Sequence, residues 1–307
     1  MGEFLIKVDK TLRYHAKRAL QRVRTWRADR NPPRLSRPVF VVGCSRAGTT
    51  LVYKTFSQSE ELGSLNRETH AFWDSLHPVD GRGWNTHALG AVDASEADRL
   101  EANRFFYIGT GRTTIVDKNN QNGLCIPYLL ALYPDARFVF VKRAAGDNIH
   151  SLIEGWKRPA EYATWSDHLP EKVSIDGGTF QRWCFFLADG WRDYLNAPIE
   201  EVCAFQYRAM NEAILDAKAL VPPGQWAELR YEDLLQDPVA GFRRAFLALG
   251  LGFSRNLEAH CADVLNRPYN AFSEIKLDKW RGKGNCDRIE RILPSLADLN
   301  QRLGYTE

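Results

Sequence analysis

The stretch Val41-Val-Gly-Cys-Ser-Arg-Ala-Gly-Thr-Thr50 decides the fold that this chain is expected to adopt. It overlaps the apolar run Pro38–Val42, which is typical of a buried strand, and it opens Thr49–Ser59, which is typical of a helix. A glycine-containing loop between a strand and a helix directs backbone N–H groups and the positive end of the helix dipole at one point. The loop therefore predicts a phosphate site, and a strand–helix turn without a ligand is the alternative.

The spacing of this loop only partly matches the nucleotide-triphosphate template G-x-x-x-x-G-K-[ST]. Gly43 and Gly48 stand at the two glycine positions and Thr50 at the last one, but Thr49 replaces the lysine. That lysine is the residue that reaches the β- and γ-phosphates of a triphosphate. A phosphate is still expected here, without the usual apparatus of an NTPase, and it would be held by Ser45, Arg46, Ala47, Gly48, Thr49 and Thr50.

Short β-rich runs alternate with helical stretches along the rest of the chain, which is typical of a mostly parallel sheet flanked by helices. Further strands are predicted at Thr114–Asp117, Arg137–Lys142 and Gln225–Arg230, and helices at Gly123–Tyr133 and Ala145–Gly155. Residues 179–221 are predicted to be largely helical, with a break at Asn196-Ala-Pro198. We expect an α/β protein with one domain over 38–307 and an N-terminal helix and linker over 1–37.

Composition excludes several classes of protein. The 307 residues are 44% hydrophobic and 26% charged, which excludes disordered and low-complexity chains. Apolar runs are too short for a membrane span or a secretory signal, so a cytoplasmic protein is expected. The six cysteines form no C-x-x-C pair and the histidines lack metal-ligand spacing, so reduced thiols and no metal are predicted.

Basic charge is concentrated in the N-terminal arm, residues 1–37. The arm holds 11 Lys/Arg against three acidic residues, a net +8 that leaves −5 for the rest. Apolar residues recur in it every three or four positions, at Phe4, Val8, Leu12, Ala16, Leu20 and Val23. The favoured interpretation is a helix packed on the domain with a solvated basic face, and the alternatives are contact with an anionic membrane surface or with a partner. No nucleic-acid-binding motif accompanies the charge, so no nucleic-acid partner is expected.

Three further motifs follow the loop in order. Arg143 ends a predicted strand and Ser151 lies eight residues on, Arg230-Tyr-Glu-Asp-Leu comes later, and Lys279-Trp-Arg281 is near the end. Together with Ser45–Thr50, these motifs resemble those of sulfotransferases that use 3′-phosphoadenylyl sulfate (PAPS). The chain departs from the usual Arg-Asp-Pro-Arg of that family by carrying Ala144 and Ala145.

The resemblance implies a P-loop-like sulfotransferase fold and a PAPS site. In that family the residues matching Arg143 and Ser151 hold the 3′-phosphate, Tyr231 lies near the adenine, and Lys279 and Arg281 close over the 3′-phosphate. Simple chemistry agrees, because PAPS carries phosphate at both ends of its ribose and needs two separated anion holders. The planar guanidinium of Arg143 suits one of them.

Two candidate bases follow the loop helix, Glu68 and His70. A glutamate acts as base at the comparable place of protein-tyrosine sulfotransferases, and a histidine often does so in small-molecule sulfotransferases. By this similarity we favour Glu68, which can act as a base at neutral pH and would act more strongly if burial raised its pKa. The alternative to a catalytic role for Glu68 is an ion pair with Arg67 or another surface cation. The alternative for His70 is a packed, hydrogen-bonded histidine.

Lys118, at the end of the strand predicted for Thr114–Asp117, resembles the lysine that faces the sulfuryl group in the family. We expect Lys118 to stabilise the bridging oxygen, with Arg46 sharing this work, and Asp117 to orient its neighbours or form an ion pair.

Acceptor binding is harder to predict. Residues 155–194 hold nine aromatic side chains that could form core or contact substrate, with residues 156–165 favoured for the latter. The expected activity moves a sulfuryl group to a hydroxyl of a small-molecule, lipid or carbohydrate acceptor and releases adenosine 3′,5′-bisphosphate (PAP). The alternatives are a P-loop kinase that uses ATP and magnesium, and an inactive nucleotide-binding interaction protein.

Overall fold

The computed structural model describes residues 15, 18–163, 168–266, 276–282 and 284–305. Its strands are β1 (Val39–Val42), β2 (Val116–Lys118), β3 (Arg137–Lys142), β4 (Val173–Ile175), β5 (Gly178–Phe180) and β6 (Trp226–Arg230). Four of them form one sheet in the order β2-β1-β3-β6, and every neighbouring pair is parallel. The remaining two pair as an antiparallel hairpin. The predicted α/β class with a central parallel sheet is confirmed.

Helices cover both faces of this sheet. They are α1 (residues 18–30), α2 (Thr49–Phe56), α3 (His70–Leu76), α4 (Glu96–Thr110), α5 (Ile126–Leu132), α6 (Ala145–Trp156), α7 (Pro159–Tyr162), α8 (Ile199–Lys218), α9 (Tyr231–Gln236), α10 (Pro238–Ala248), α11 (Arg255–Asp263), α12 (Cys286–Ile292) and α13 (Ala297–Arg302). Among the described residues, none of these helices combines the length and apolarity needed to cross a bilayer.

Side chains of β1 and β3 alternate between two buried clusters, as the two-residue period of a strand requires. Phe40, Phe138 and Phe140 join the cluster that includes α5, α6 and α8. Val41 and Val139 join the opposite cluster, with α2, α10 and α11. A strand buried on both faces needs a continuous apolar run, which is why these strands were recognisable in the sequence.

Parallel pairing brings the carboxyl ends of the strands to one edge of the sheet. Val41 lies opposite both Lys118 of β2 and Val139 of β3, and Lys142 lies opposite Arg230 of β6. The loop after β1 and the residues that follow β2 and β3 therefore meet at this edge. Ligands of open parallel sheets bind at such edges.

The prediction of helix over most of 179–221 is wrong for its first half. Residues 178–180 form a strand, Trp191–Tyr194 form a short 3-10 turn, and the long helix begins only at Ile199, after Pro198. Long-range contacts hold this segment: the Gln206 side chain donates to the Cys184 carbonyl oxygen at 2.8 Å, and His87 Nδ1 accepts from the Leu187 N–H at 2.7 Å. The local sequence pattern, from which the helix was predicted, carries no information about such long-range contacts.

The N-terminal arm is described only in part. Leu20 and Val23 are 55% and 49% exposed, so these two residues do not pack on the domain as the favoured interpretation expected. Phe4, Val8, Leu12 and Ala16 lie outside the described residues. The domain boundary at residue 37 stays a prediction.

Candidate active site

The loop after β1 is shaped by its two glycines. Gly43 and Gly48 have φ angles of 154° and 100°. A Cβ at Gly43 would lie 2.6 Å from the Val141 carbonyl oxygen, and one at Gly48 would lie 2.5 Å from the Tyr231 ring. Larger residues would force the loop away from β3 and from Tyr231. These contacts fix the loop against the end of the sheet, immediately before the first turn of α2.

Two polar side chains that the sequence analysis missed support the loop from outside. Asn148 on α6 is fully buried and donates to the Ser45 carbonyl oxygen at 2.9 Å. Tyr207 on α8 donates its hydroxyl to the Arg143 carbonyl oxygen at 3.0 Å. Asn148 lies inside the Arg143–Ser151 motif, and its place within that motif was the available signal.

Four predicted nucleotide-binding residues meet at the ends of β1 and β3. Arg46 donates to Ser151 Oγ at 3.3 Å, and Arg143 donates to the Arg46 carbonyl oxygen at 2.9 Å. The Arg143 guanidinium also lies over the Tyr231 ring, 4.4 Å from its centroid. Arg143 and Ser151 thus contact Arg46, although they lie 97 and 105 positions after it in the sequence. Their roles toward a nucleotide stay predictions at this point.

The electrostatics of this cluster favour an anion. Burial lowers the pKa of Arg46, the nearby Tyr162 opposes that shift, and the Arg143 charge adds to it. Two guanidinium groups thus lie side by side in a partly buried place. Ser45 Oγ and Arg143 Nε are buried and have no hydrogen-bond partner within the described part of the chain. Buried polar atoms are normally paired, so these two fit a group that accepts hydrogen bonds.

Glu68 and Lys118 form an ion pair at the end of β2. Lys118 Nζ donates to Glu68 Oε1 at 2.6 Å, and the Lys118 side chain is only 7% exposed. Burial raises the pKa of Glu68, but the Lys118 charge and hydrogen bond, with His70 and Arg46, outweigh burial and leave the pKa lowered. In this paired state the pKa of Glu68 is therefore not raised, and the condition under which burial would make it a stronger base is not met. Among the described residues, the ion-pair partner of Glu68 is Lys118 rather than Arg67.

Asp117 holds the chain around this pair in place. Its carboxylate is fully buried and accepts hydrogen bonds from Thr69 Oγ1 at 2.6 Å and Trp73 Nε1 at 3.0 Å, with Asn122 Nδ2 at 3.3 Å. Thr69 directly follows Glu68, so the network ties that residue to β2. These contacts agree with the orienting interpretation of Asp117.

His70 begins α3, two residues after Glu68. Burial lowers the pKa of His70, with Glu68 opposing the shift, so its imidazole is neutral at pH 7.

The C-terminal basic segment packs against the first turn of α6. Asp147 accepts hydrogen bonds from the backbone N–H groups of Asp278 and Lys279 at 2.8 and 3.0 Å. A Cβ at Gly146 would lie 2.4 Å from the Trp280 indole nitrogen, so the two surfaces are in close contact. Arg281 is exposed and stacks on Trp280 at 4.3 Å. The segment of residues 279–281 thus lies at the N-terminal end of α6. Gly146, which it contacts there, is three residues after Arg143.

The aromatic residues of 155–194 divide into two groups. Trp183, Phe186 and Trp191 are fully buried in the core, which confirms the core interpretation for them. Tyr162 instead faces the site, where its hydroxyl accepts from Arg46 Nη1 at 3.1 Å. Trp165, also favoured for substrate contact, lies outside the described residues.

Comparison with known proteins now identifies the family. The model of the sulfotransferase family matches residues 38–255, well over half of the chain. The chain belongs to the sulfotransferase family. The matched range contains the phosphate loop, Glu68, Lys118, Arg143 and Tyr231. The Lys279–Arg281 segment lies beyond it.

Two curated sulfotransferases are similar to part of the chain. Both are named omega-hydroxy-beta-dihydromenaquinone-9 sulfotransferase Stf3, from Mycobacterium bovis and Mycobacterium tuberculosis, and are 28% identical to it over 165 residues. The match covers 52% of this chain and spans about a third, 36%, of the length of these relatives.

The fold of this sulfotransferase is also found in a solved structure, sulfotransferase STF9 from Mycobacterium avium. The TM-score is 0.53 at 14% identity, with 89% of this chain and 80% of the other covered. At this identity the likeness supports the fold alone.

Proposed function

We propose that this protein is a PAPS-dependent sulfotransferase that moves a sulfuryl group to a hydroxyl and releases PAP. One observation carries the proposal: the Arg46–Arg143 cluster and the Lys118–Glu68 pair lie at the same edge of the sheet. The first suits the phosphates of a doubly phosphorylated nucleotide. The second supplies a cation and a carboxylate for the reacting groups.

The donor nucleotide would be held from two sides. The loop residues Ser45 to Thr50 and the first turn of α2 would bind its 5′ end through backbone N–H groups and hydroxyls. Arg143 and Ser151 would bind the 3′-phosphate, and the Tyr231 ring, packed on Gly48, would lie beside the adenine. The buried donors of Ser45 and Arg143 fit this assignment, because each lacks a partner in the described part of the chain.

PAPS would supply the sulfuryl group on its 5′-phosphate. In the reaction the sulfur–oxygen bond to that phosphate breaks while a new one forms to the acceptor oxygen. Lys118 would stabilise the bridging oxygen as it gains charge, with Arg46 assisting. Glu68 would take the acceptor's hydroxyl proton, since its lowered pKa keeps it a carboxylate at neutral pH.

The ion pair connects these two roles. While Lys118 donates to Glu68, its charge keeps the pKa of that carboxyl low. A shift of Lys118 toward the bridging oxygen would weaken this effect, and the burial of Glu68 would then raise its pKa. The carboxylate would therefore become more basic as the donor is engaged. No metal ion takes part in the proposed steps.

The acceptor is proposed only as a hydroxyl of a small molecule, lipid or carbohydrate. The curated relatives are named for an omega-hydroxylated menaquinone, which favours a hydroxyl on a largely apolar molecule. The aromatic ring of Tyr162 next to Arg46 offers a surface on which such an acceptor would pack.

Sulfur-labelled PAPS tests the proposed activity. The protein is incubated with labelled PAPS and a panel of hydroxylated lipids, sterols and sugars, with EDTA and with magnesium. We expect PAP release and a labelled product that are unchanged by EDTA. Phosphate transfer from ATP that requires magnesium would instead establish the kinase alternative, and PAP binding without transfer to any acceptor would favour the inactive one.

A further inference from the structure

Helix α1 presents an apolar face to solvent. Leu20, Val23 and Trp26 are 55%, 49% and 53% exposed. With 3.6 residues per turn, these three side chains lie within an arc of about 120°. Ala28, on the other side of the helix, is buried. Helices on globular proteins usually bury their apolar side, so the orientation here is the reverse of the usual one.

Polar contacts on the opposite side hold α1 in this orientation. Arg24 donates to the carbonyl oxygens of Ile108 and Gly109, at 3.3 Å each, and Asp29 forms an ion pair with Arg104. All three partners lie on α4, near its C-terminal end. Rotation of α1 to bury its apolar side would break these contacts.

Positive charge surrounds the apolar face. Arg27 and Arg30 are exposed in the same arc, and the Arg30 guanidinium lies 4.2 Å from the Trp26 ring. Arg22 is exposed beside it. In the sequence, the whole arm of residues 1–37 carries 11 Lys/Arg against three acidic residues. A negatively charged, partly apolar surface is the complement of such a face.

We propose that α1 docks on an anionic lipid surface, with Leu20, Val23 and Trp26 inserted among the headgroups. Tryptophan prefers the membrane interface, and arginines spread along a helix match the diffuse charge of anionic lipids. A groove of a protein partner fits less well, because it would have to enclose a helix that Arg24 and Asp29 already hold against α4. The contacts near Gly109 put α1 toward the amino ends of the strands, so docking leaves the edge with Lys118 accessible. The docking is independent of the reaction assigned to the site.

Flotation with lipid vesicles tests the docking on the full chain. The vesicles are phosphatidylcholine alone or phosphatidylcholine with phosphatidylglycerol. We expect the protein to float with the anionic vesicles. The triple variant Leu20→Ser, Val23→Ser, Trp26→Ser should bind these vesicles with an affinity at least about tenfold lower. The matched control is Val92→Ser, Leu220→Ser, Leu247→Ser, which removes three other exposed apolar side chains and leaves binding unchanged.

Charge is tested separately with Arg27→Gln, Arg30→Gln. This variant should bind the anionic vesicles several-fold less tightly, and added salt should weaken the binding of the unmodified protein. The proposal is overturned if the unmodified protein fails to float. That result is the one expected if the face binds a protein instead. It is equally overturned if neutral vesicles bind as well, or if both serine variants bind alike.

Discussion

The two halves of the candidate site differ in how their charges are arranged. At the ends of β1 and β3, two cations lie side by side, with Arg143 donating to the Arg46 carbonyl oxygen. At the end of β2, opposite charges are paired, with 2.6 Å between Lys118 and Glu68. The first half gains stability from an anionic ligand, whereas the second is neutral overall before any ligand arrives. Binding and chemistry should therefore be separable by substitution.

Removal of the Lys118 ammonium should have the largest effect. Lys118→Ala deletes the group assigned to the bridging oxygen, so kcat should fall by about 10²–10³-fold while the Kd for PAP changes little. Turnover is measured with the acceptor identified by labelled PAPS, and PAP binding by calorimetry. Lys142→Ala is the matched control, because that lysine also ends a strand and pairs with a glutamate. A loss of PAP affinity with normal kcat would reassign Lys118 to nucleotide holding.

Removal of the Glu68 carboxylate should reduce turnover almost as much. Glu68→Gln keeps the size of the side chain but cannot take a proton, so kcat should fall by about 10²-fold or more. His70→Asn, at the other candidate base, should reduce kcat much less. A larger loss from the histidine variant would transfer the role of base to His70.

The pH profile sharpens the assignment of Glu68. Its pKa is lowered in the folded protein, so the carboxylate persists at and below the ordinary range of a glutamate. The value of kcat/KM, which reports the free enzyme, should stay constant as the pH falls through that range. The stability contributed by the ion pair should likewise be present above it and be lost only at lower pH, as the proton binds at the lowered pKa. Urea unfolding across pH, compared with that of Glu68→Gln, measures this difference.

The cationic half is tested by nucleotide affinity. Arg143→Ala removes charge-assisted hydrogen bonds worth about 1.5–3 kcal/mol, so PAP should bind about 10- to 100-fold more weakly. AMP lacks the 3′-phosphate, and its affinity should change far less. Arg208→Ala, at an exposed ion pair on α8, is the control. Equal weakening of PAP and AMP would contradict the assignment to the 3′-phosphate.

The smallest effect is expected at the anchor of the C-terminal segment. Asp147→Asn weakens the hydrogen bonds to the backbone of residues 278 and 279, so the basic turn should be held less firmly. The Kd for PAP should rise about three- to tenfold, with kcat at saturation preserved. An unchanged Kd in calorimetry would exclude a role for the turn in nucleotide binding.

Those parts of the fold that depend on local pattern could be predicted from the sequence. β3 occupies Arg137–Lys142 as predicted, and the strand starting at Val39 and the helix starting at Thr49 agree closely. Continuous apolar runs and flanking glycines indicate where these strands and this helix begin, and each signal lies within about ten residues of sequence. β1 and β3 are neighbours in the parallel sheet, so the loop with Arg46 and the residue Arg143 lie at one edge, although the sequence predicted two separated anion holders and not their contact.

Features set by distant contacts could not be predicted. Glu68 and Lys118 are 50 positions apart, and only the structure shows that they pair and that this pairing lowers the pKa of Glu68 despite its burial. The segment 181–198 has helical spacing of its aromatic residues but is held in an irregular path by Gln206 and His87. Helix α1 likewise has its apolar side outward because of its contacts with α4.

Thermal stabilisation by PAP, compared with AMP and with ATP plus magnesium, tests whether the site binds a nucleotide with a 3′-phosphate. A ligand at 100 times its Kd stabilises the protein by about 2.7 kcal/mol, which is readily visible as a shift in Tm. We expect the largest shift in Tm with PAP, a smaller one with AMP, and loss of the difference between them in Arg143→Ala. A shift produced by ATP plus magnesium alone, or by no nucleotide at all, would contradict it.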